Sequence, residues 1–167
     1  PPFTAYGLAG TFDFSKALNW AGAPDARVNP SENICETRDV FTARLSRLVK
    51  LEREGLNRNE LSLLIAIAGE VGNNSFDHNL GKWRAQPGVW FEEQVSSDRV
   101  GIILADRGQG VLNSLRRVDP EIRGDRAALR TAFEKRVSGR APEQRGNGLK
   151  FVRDSILRKD GRGVACL

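Results

Sequence analysis

Three short stretches of this 167-residue chain carry side chains whose types and spacing suit chemistry on a polar ligand. The first is Glu70-x-x-Asn73-Asn74-x-x-Asp77. At about 100° per residue, Glu70, Asn74 and Asp77 fall within about 60° of one another on a helix. Leu63 and Ala66 share that face one and two turns earlier, so a stripe expected to face the core turns polar in its last turns. An uncompensated carboxylate buried there costs several kcal/mol, to order of magnitude, so the space calls for a polar occupant. A hydrated magnesium ion suits it, since the ion keeps several waters and takes few protein oxygens, here from Asn74. Glu70 then stands as general base toward a water. A polar helix end facing solvent explains the same pattern, and the residues alone do not choose.

The second stretch, Asp106-x-Gly108-x-Gly110, follows the unbroken apolar run 100–105. A carboxylate at the end of a buried strand lies deep enough to accept a hydrogen bond from an exocyclic amine. A charged acceptor of that kind is worth roughly 1.5–3 kcal/mol. The glycines let backbone approach a flat ligand or adopt positive φ, although a strand-to-helix turn needs glycine for its geometry alone. The third stretch is Arg145-Gly146-Asn147-Gly148-Leu149 at a helix start. Free N–H groups and the positive end of the helix dipole receive an anion there, with charge from Arg140, Arg145 and Lys150. An ordinary loop entering a helix has the same appearance.

The elements that must position these residues follow from pattern. Residues 1–37, rich in Gly, Pro, Ala and Asn, read as an extended arm with one short strand at 11–14 and a role as partner or dimer contact. A helical stripe runs from Arg38 to Arg53 and stops near Gly55. Asn57 and Glu60 have capping-box spacing, opening a helix through His78 that begins apolar nearly all round. Residues 89–95 and 100–105 read as strands, the second covered on both faces. Helices follow at 111–118, from Asp125 to about 137, and at 147–159, with a loop at 138–146 and a last strand cut short at 164–167. The sum is an α+β two-layer sandwich: a mixed, mostly antiparallel sheet with helices on one face, over residues 38–167.

Composition sets the class. An apolar fraction of 40% and a charged fraction of 28% suit one globular domain without a membrane segment. Two cysteines and a single histidine support neither a disulfide framework nor a zinc cluster, so a reducing cytoplasm is the expected setting. No methionine occurs, even at position 1, as in a fragment of a longer chain. Residues 1–105 hold 11 Lys and Arg against 13 Asp and Glu, whereas residues 106–167 hold 15 against 8. That basic half suits an anionic ligand. Its arginines lie on separate helices without stacking aromatics among them, so nucleic acid is not the expected partner.

The order of the three stretches is more specific than any one of them. From about Arg38 onward, the chain resembles the Bergerat-type ATPases: gyrase B subunits, heat-shock chaperones, histidine kinases and mismatch-repair ATPases. The stretch before the 138–146 loop is most similar to stand-alone bacterial histidine-kinase-like domains, the relatives of anti-sigma kinases. The resemblance implies Glu70 as catalytic base, Asn74 as magnesium ligand, Asp77 as the acid near the nucleotide base and Asp106 as the reader of the adenine amine. It implies Gly108 and Gly110 beneath the adenine, and Gly146 and Gly148 in a phosphate lid with Arg145, Asn147, Leu149 and Lys150. No P-loop and no strand-linked GxGxxG competes.

The function so implied is magnesium-dependent ATP hydrolysis, or transfer of the γ-phosphate to a protein acceptor, in bacterial signalling. The alternative is a nucleotide-gated interaction switch with little chemistry, in which ATP orders the loop at 138–146. His78, at a helix C-terminus, suits the dipole there better than phosphoacceptance.

Overall fold

The computed structural model describes residues 12–23, 32–54, 57–84, 86–96, 100–134 and 148–157. Within them the chain is α+β, with six helices and a three-stranded antiparallel sheet. The helices are α1 (Ser15–Gly22), α2 (Arg38–Arg47), α3 (Arg58–Asn79), α4 (Gly110–Leu115), α5 (Asp125–Glu134) and α6 (Gly148–Leu157). The strands are β1 (Ile34–Cys35), β2 (Val89–Val95) and β3 (Val100–Asp106), in spatial order β1-β2-β3. A 3₁₀ segment, Leu48–Glu54, extends α2. The strand expected at 164–167 and the loop at 138–146 lie outside the described residues.

The longest helix starts where its side chains dictate. Asn57 accepts from the amides of Asn59 (3.1 Å) and Glu60 (3.0 Å), and the Glu60 carboxylate reaches back to the Asn57 amide at 3.4 Å. This reciprocal cap satisfies donors that the first helical turn leaves free. The core face of α3 is Leu61, Ile65, Ala68, Gly72 and Phe76, at helical spacing. Ala66 is exposed and Leu63 only half-buried. The stripe expected to lead from Leu63 and Ala66 to Glu70 is therefore not the core face, and Glu70 does not extend it.

β2 and β3 pair from Val89↔Asp106 to Val95↔Val100, so side chains alternate between two faces in a fixed register. Phe91, Ile102 and Leu104 join Cys35, Phe41, Leu48, Leu51 and Leu61 beneath α2 and α3. Trp90, Ile103 and Ala105 point the other way, to Ala17 and Trp20 of α1. β3 is thus apolar on both sides, as its unbroken composition predicts.

The expectation of helices on one face only is corrected here. α1 covers the second face, with Trp20 2% exposed and its ring 5.9 Å from Trp90. Residues 12–14 are irregular, not a strand. The Asp13 carboxylate accepts from the Ser15 amide at 2.8 Å and turns the chain into α1. The Ser15 hydroxyl, and then this amide, hold its carboxyl below the ordinary range. Asp13 is also tied to the sheet, its amide donating to Gln94 Oε1 and its carbonyl accepting from Gln94 Nε2, each at 2.9 Å. A third apolar cluster joins α4, α5 and α6 through Leu115, Ile122, Ala128, Ala132 and Leu149.

No helix among the described residues is long and apolar enough to cross a membrane. Burial pushes the Cys35 thiol above its ordinary value, so this cysteine behaves as a small core hydrophobe.

α2 and α3 pack closely around Gly72. A Cβ at position 72 would stand 2.2 Å from Phe41 Cζ, and Phe41 is itself wedged against Phe76 and Phe91 with ring centroids at 6.0 and 5.9 Å. Gly72→Ala is expected to lower unfolding free energy by about 1–3 kcal/mol in urea titration, and Phe41→Leu in the same chain to recover part of the loss.

Candidate functional site

The site is assembled at the end of β3 and along the C-terminal half of α3. Alternation does not stop with the strand. Asp106 falls on the α3 side, in step with Ile102 and Leu104, while Arg107 falls on the α1 side, in step with Ile103 and Ala105.

Three donors hold the Asp106 carboxylate. Oδ2 accepts from Ser75 Oγ at 2.6 Å, and Oδ1 accepts from the Gly108 amide at 2.8 Å and Asn79 Nδ2 at 3.2 Å. Asn79 is 4% exposed, and its Oδ1 accepts from the Gln109 amide at 2.9 Å. One side-chain amide therefore joins the last residue of α3 to both ends of the Asp106–Gln109 turn. Ser75 and Asn79 are four residues apart and so face β3 together. Gln109 adds a bond from Nε2 to the carbonyl of His78. His78 sits in the last turn of α3 with Nδ1 3.2 Å from Ser114 Oγ.

The two glycines of this turn have different reasons. Gly108 is close-packed: a Cβ there would lie 1.9 Å from Asn79 Cγ and Nδ2. The close approach that the sequence assigns to a flat ligand is taken by Asn79. Gly110 has φ +78° with open space around it, so backbone conformation alone requires glycine.

Glu70 and Asp77, expected on one face, reach different neighbours. Asp77 accepts from Arg38 Nη2 at 2.5 Å, and Arg38 Nη1 donates to Asn73 Oδ1 at 3.1 Å, which ties the end of α3 to the start of α2. Glu70 turns toward α6, where a Cβ on Gly148 would lie 1.6 Å from Glu70 Oε1. Its carboxylate thus lies against the first residue of a helix, where the dipole favours negative charge. Glu70 and Asn74 are both half-buried, and neither side chain has a hydrogen-bond or ion-pair partner among the described residues.

On α6, Leu149 packs into the cluster with α4 and α5, so it anchors the helix. Lys150 is half-buried one residue further on. Arg140, Arg145, Gly146 and Asn147 lie outside the described residues. No group of three or more His, Cys, Asp or Glu side chains suited to a metal ion occurs among the described residues. Glu70 and Asn74 fit a hydrated ion that takes few protein oxygens and do not fit one that needs a full protein cage.

Three residues of this site are missed by motif reading: Ser75, Asn79 and Arg107. The first two carry a weak signal, as polar side chains at i and i+4 near the end of a buried helix. Arg107 carries none, because the Asp106-x-Gly108 pattern specifies no residue type there.

Comparison with protein-family models, with curated proteins and with solved structures returned no match.

Truncating Asn79 removes two hydrogen bonds and strands the Gln109 amide. Asn79→Ala is expected to lower unfolding free energy by about 1–3 kcal/mol in chemical denaturation. Hydrogen exchange at the Gln109 amide should quicken beyond what the global loss of stability explains.

Proposed function

We propose that this chain is a Bergerat-type ATP-binding domain, which hydrolyses ATP or passes its γ-phosphate to a protein acceptor. One observation carries the proposal: a single helix carries the first stretch and meets the described residues of the other two. α3 holds Asp106 through Ser75 and Asn79, and presses Glu70 against Gly148 at the start of α6. Residues 75 and 106, 31 positions apart in sequence, thus belong to the same site as the opening of α6. The resemblance supplies the ligand, and this placement supports it.

In this proposal Asp106 accepts from the adenine amine with the remaining lone pair of Oδ2, since Asn79 and Gly108 take both on Oδ1 and Ser75 one on Oδ2. Those three donors fix the carboxylate before the ligand arrives, which spares part of the ordering cost of binding. Glu70, half-buried and without a hydrogen-bond or ion-pair partner among the described residues, takes a proton from the attacking water or hydroxyl. The first amides of α6 and Lys150 receive the phosphates, and the resemblance adds the charge of Arg145. The Asn74 side-chain carbonyl would hold a hydrated magnesium ion, which would supply positive charge to offset that of the phosphates. Asp77, paired with Arg38, holds the end of α3 in place beside the nucleotide base.

Calorimetric titration of ATP with magnesium into the chain tests the binding step. Saturable binding is expected, weakened about 10- to 100-fold by Asp106→Asn, which replaces a charged acceptor by a neutral one. Absence of binding by the unsubstituted chain would remove the proposal. Glu70→Ala is expected to retain binding and to lose turnover by about 100-fold or more. Binding without turnover in the parent chain would select the nucleotide-gated switch instead.

A further inference from the structure

Arg107 lies between two residues of the candidate site, yet its side chain leaves the site altogether. Nη1 donates to the carbonyl of Trp20 at 2.9 Å and Nη2 to that of Ala23 at 2.6 Å. These carbonyls belong to the C-terminal end of α1, where a helix lacks its own donors and a positive charge is favoured. The guanidinium carbon is 5.8 Å from the centroid of the Trp20 ring. The residue is 2% exposed, its Nε has no hydrogen-bond partner, and no carboxylate pairs with it among the described residues. Helix ends are commonly satisfied by water, and a buried cation with no counterion among the described residues is an expensive way to satisfy two carbonyls. What the placement provides is a fixed link between α1 and the turn after β3.

Its backbone explains more. The Arg107 carbonyl accepts from the Arg84 amide at 2.9 Å, so the residue is gripped by the main chain on one side and by α1 on the other. Its neighbours are Asp106, whose carboxylate is the candidate ligand acceptor, and Gly108, whose amide is one of the three donors to that carboxylate. Any rotation of the backbone at residue 107 swings both. α1 is in turn fixed at its far end by the paired bonds between Asp13 and Gln94, and Ala17 and Trp20 are buried against Ile103 and Trp90.

We infer that Arg107 is a positioning residue: it ties the C-terminal end of α1 to the Asp106–Gly108 turn, so that the seating of α1 on one face of the sheet sets the ligand-accepting carboxylate on the other. This rests on the ATP-site reading for its ligand, but not for the mechanical tie. By reciprocity, ligand held at Asp106 strengthens the docking of α1.

The test uses the whole chain with Arg107→Met, Arg107→Lys and Ala17→Glu. Amide exchange is read at Gly108, Gln109 and Phe91, and ATP affinity is measured with magnesium. Arg107→Met keeps much of the apolar bulk and removes both bonds. Exchange at Gly108 and Gln109 is expected to quicken about 10-fold while Phe91 is unchanged, and ATP affinity to fall about 10-fold. Arg107→Lys restores part of each effect, since an ammonium keeps the charge but lacks the fork that spans two carbonyls. Ala17→Glu leaves Arg107 intact and unseats α1, and is expected to quicken the same two amides. It decides the matter if Arg107→Met fails to fold. Exchange at Gly108 and Gln109 that stays unchanged, or moves only in step with Phe91, overturns the inference. An unsubstituted chain that fails to bind ATP removes the ligand reading, and the exchange data still decide whether α1 and the turn are tied.

Discussion

One buried amide holds the long helix and the sheet together where it matters. Asn79 donates to Asp106 and accepts from Gln109, and it fills the space that any side chain at position 108 would need. A buried polar side chain is tolerated only when its bonds are made, and both ends of this amide are engaged. The demand works in two directions. It fixes the rotation of α3 about its axis relative to the end of β3, and it forces the turn after β3 to run close beneath the helix. The orientation of Ser75 toward Asp106, of Glu70 toward α6 and of Asp77 toward Arg38 all follow from that one rotation, because each is a fixed number of residues away.

The second constraint is the double coverage of β3. Apolar side chains on both faces leave the strand no solvent side, and the chain meets this with α2 and α3 on one face and α1 on the other. The two clusters differ in character. Beneath α2 and α3, phenylalanines interlock around a glycine, and the helices approach closely. Beneath α1, two tryptophans provide most of the bulk, and polar ties at Asp13 and Arg107 fix the ends of a helix only eight residues long. A helix that short has little intrinsic stability, so its position is set by these contacts and not by propensity.

Much of this is legible in the sequence wherever a local rule operates without competition. The Asn57–Glu60 box marks the start of α3 correctly, and residues 89–95 form the strand that their pattern predicts. The unbroken run at 100–105 announces coverage on both faces. α1 escapes because Gly, Pro and Asn dominate the composition around it, although Ala17, Trp20 and Ala21 have helical spacing and both Trp20 and Trp90 need burial. β1, two residues long, has no pattern of its own and exists only by pairing with β2. Motif spacing singles out Glu70, Asn74, Asp77 and Asp106, and in α3 Glu70 and Asp77 meet different helices, α6 and α2. Local geometry alone does not say which neighbouring helix each meets. Asn79 and Arg107 are tertiary features, and their partners lie 27 and 87 positions away.

The alternation along β3 reaches past the strand to Asp106 and Arg107, and this constrains how the gene can change. Inserting or deleting one codon between Val100 and Asp106 would exchange the two faces. Ile103 would meet the phenylalanines, the carboxylate would turn toward the tryptophans, and the guanidinium would be driven under α3. A change of two codons would preserve every facing and merely shift the turn along the strand direction. An even step therefore keeps both faces, whereas an odd step keeps them only where a bulge absorbs the extra residue.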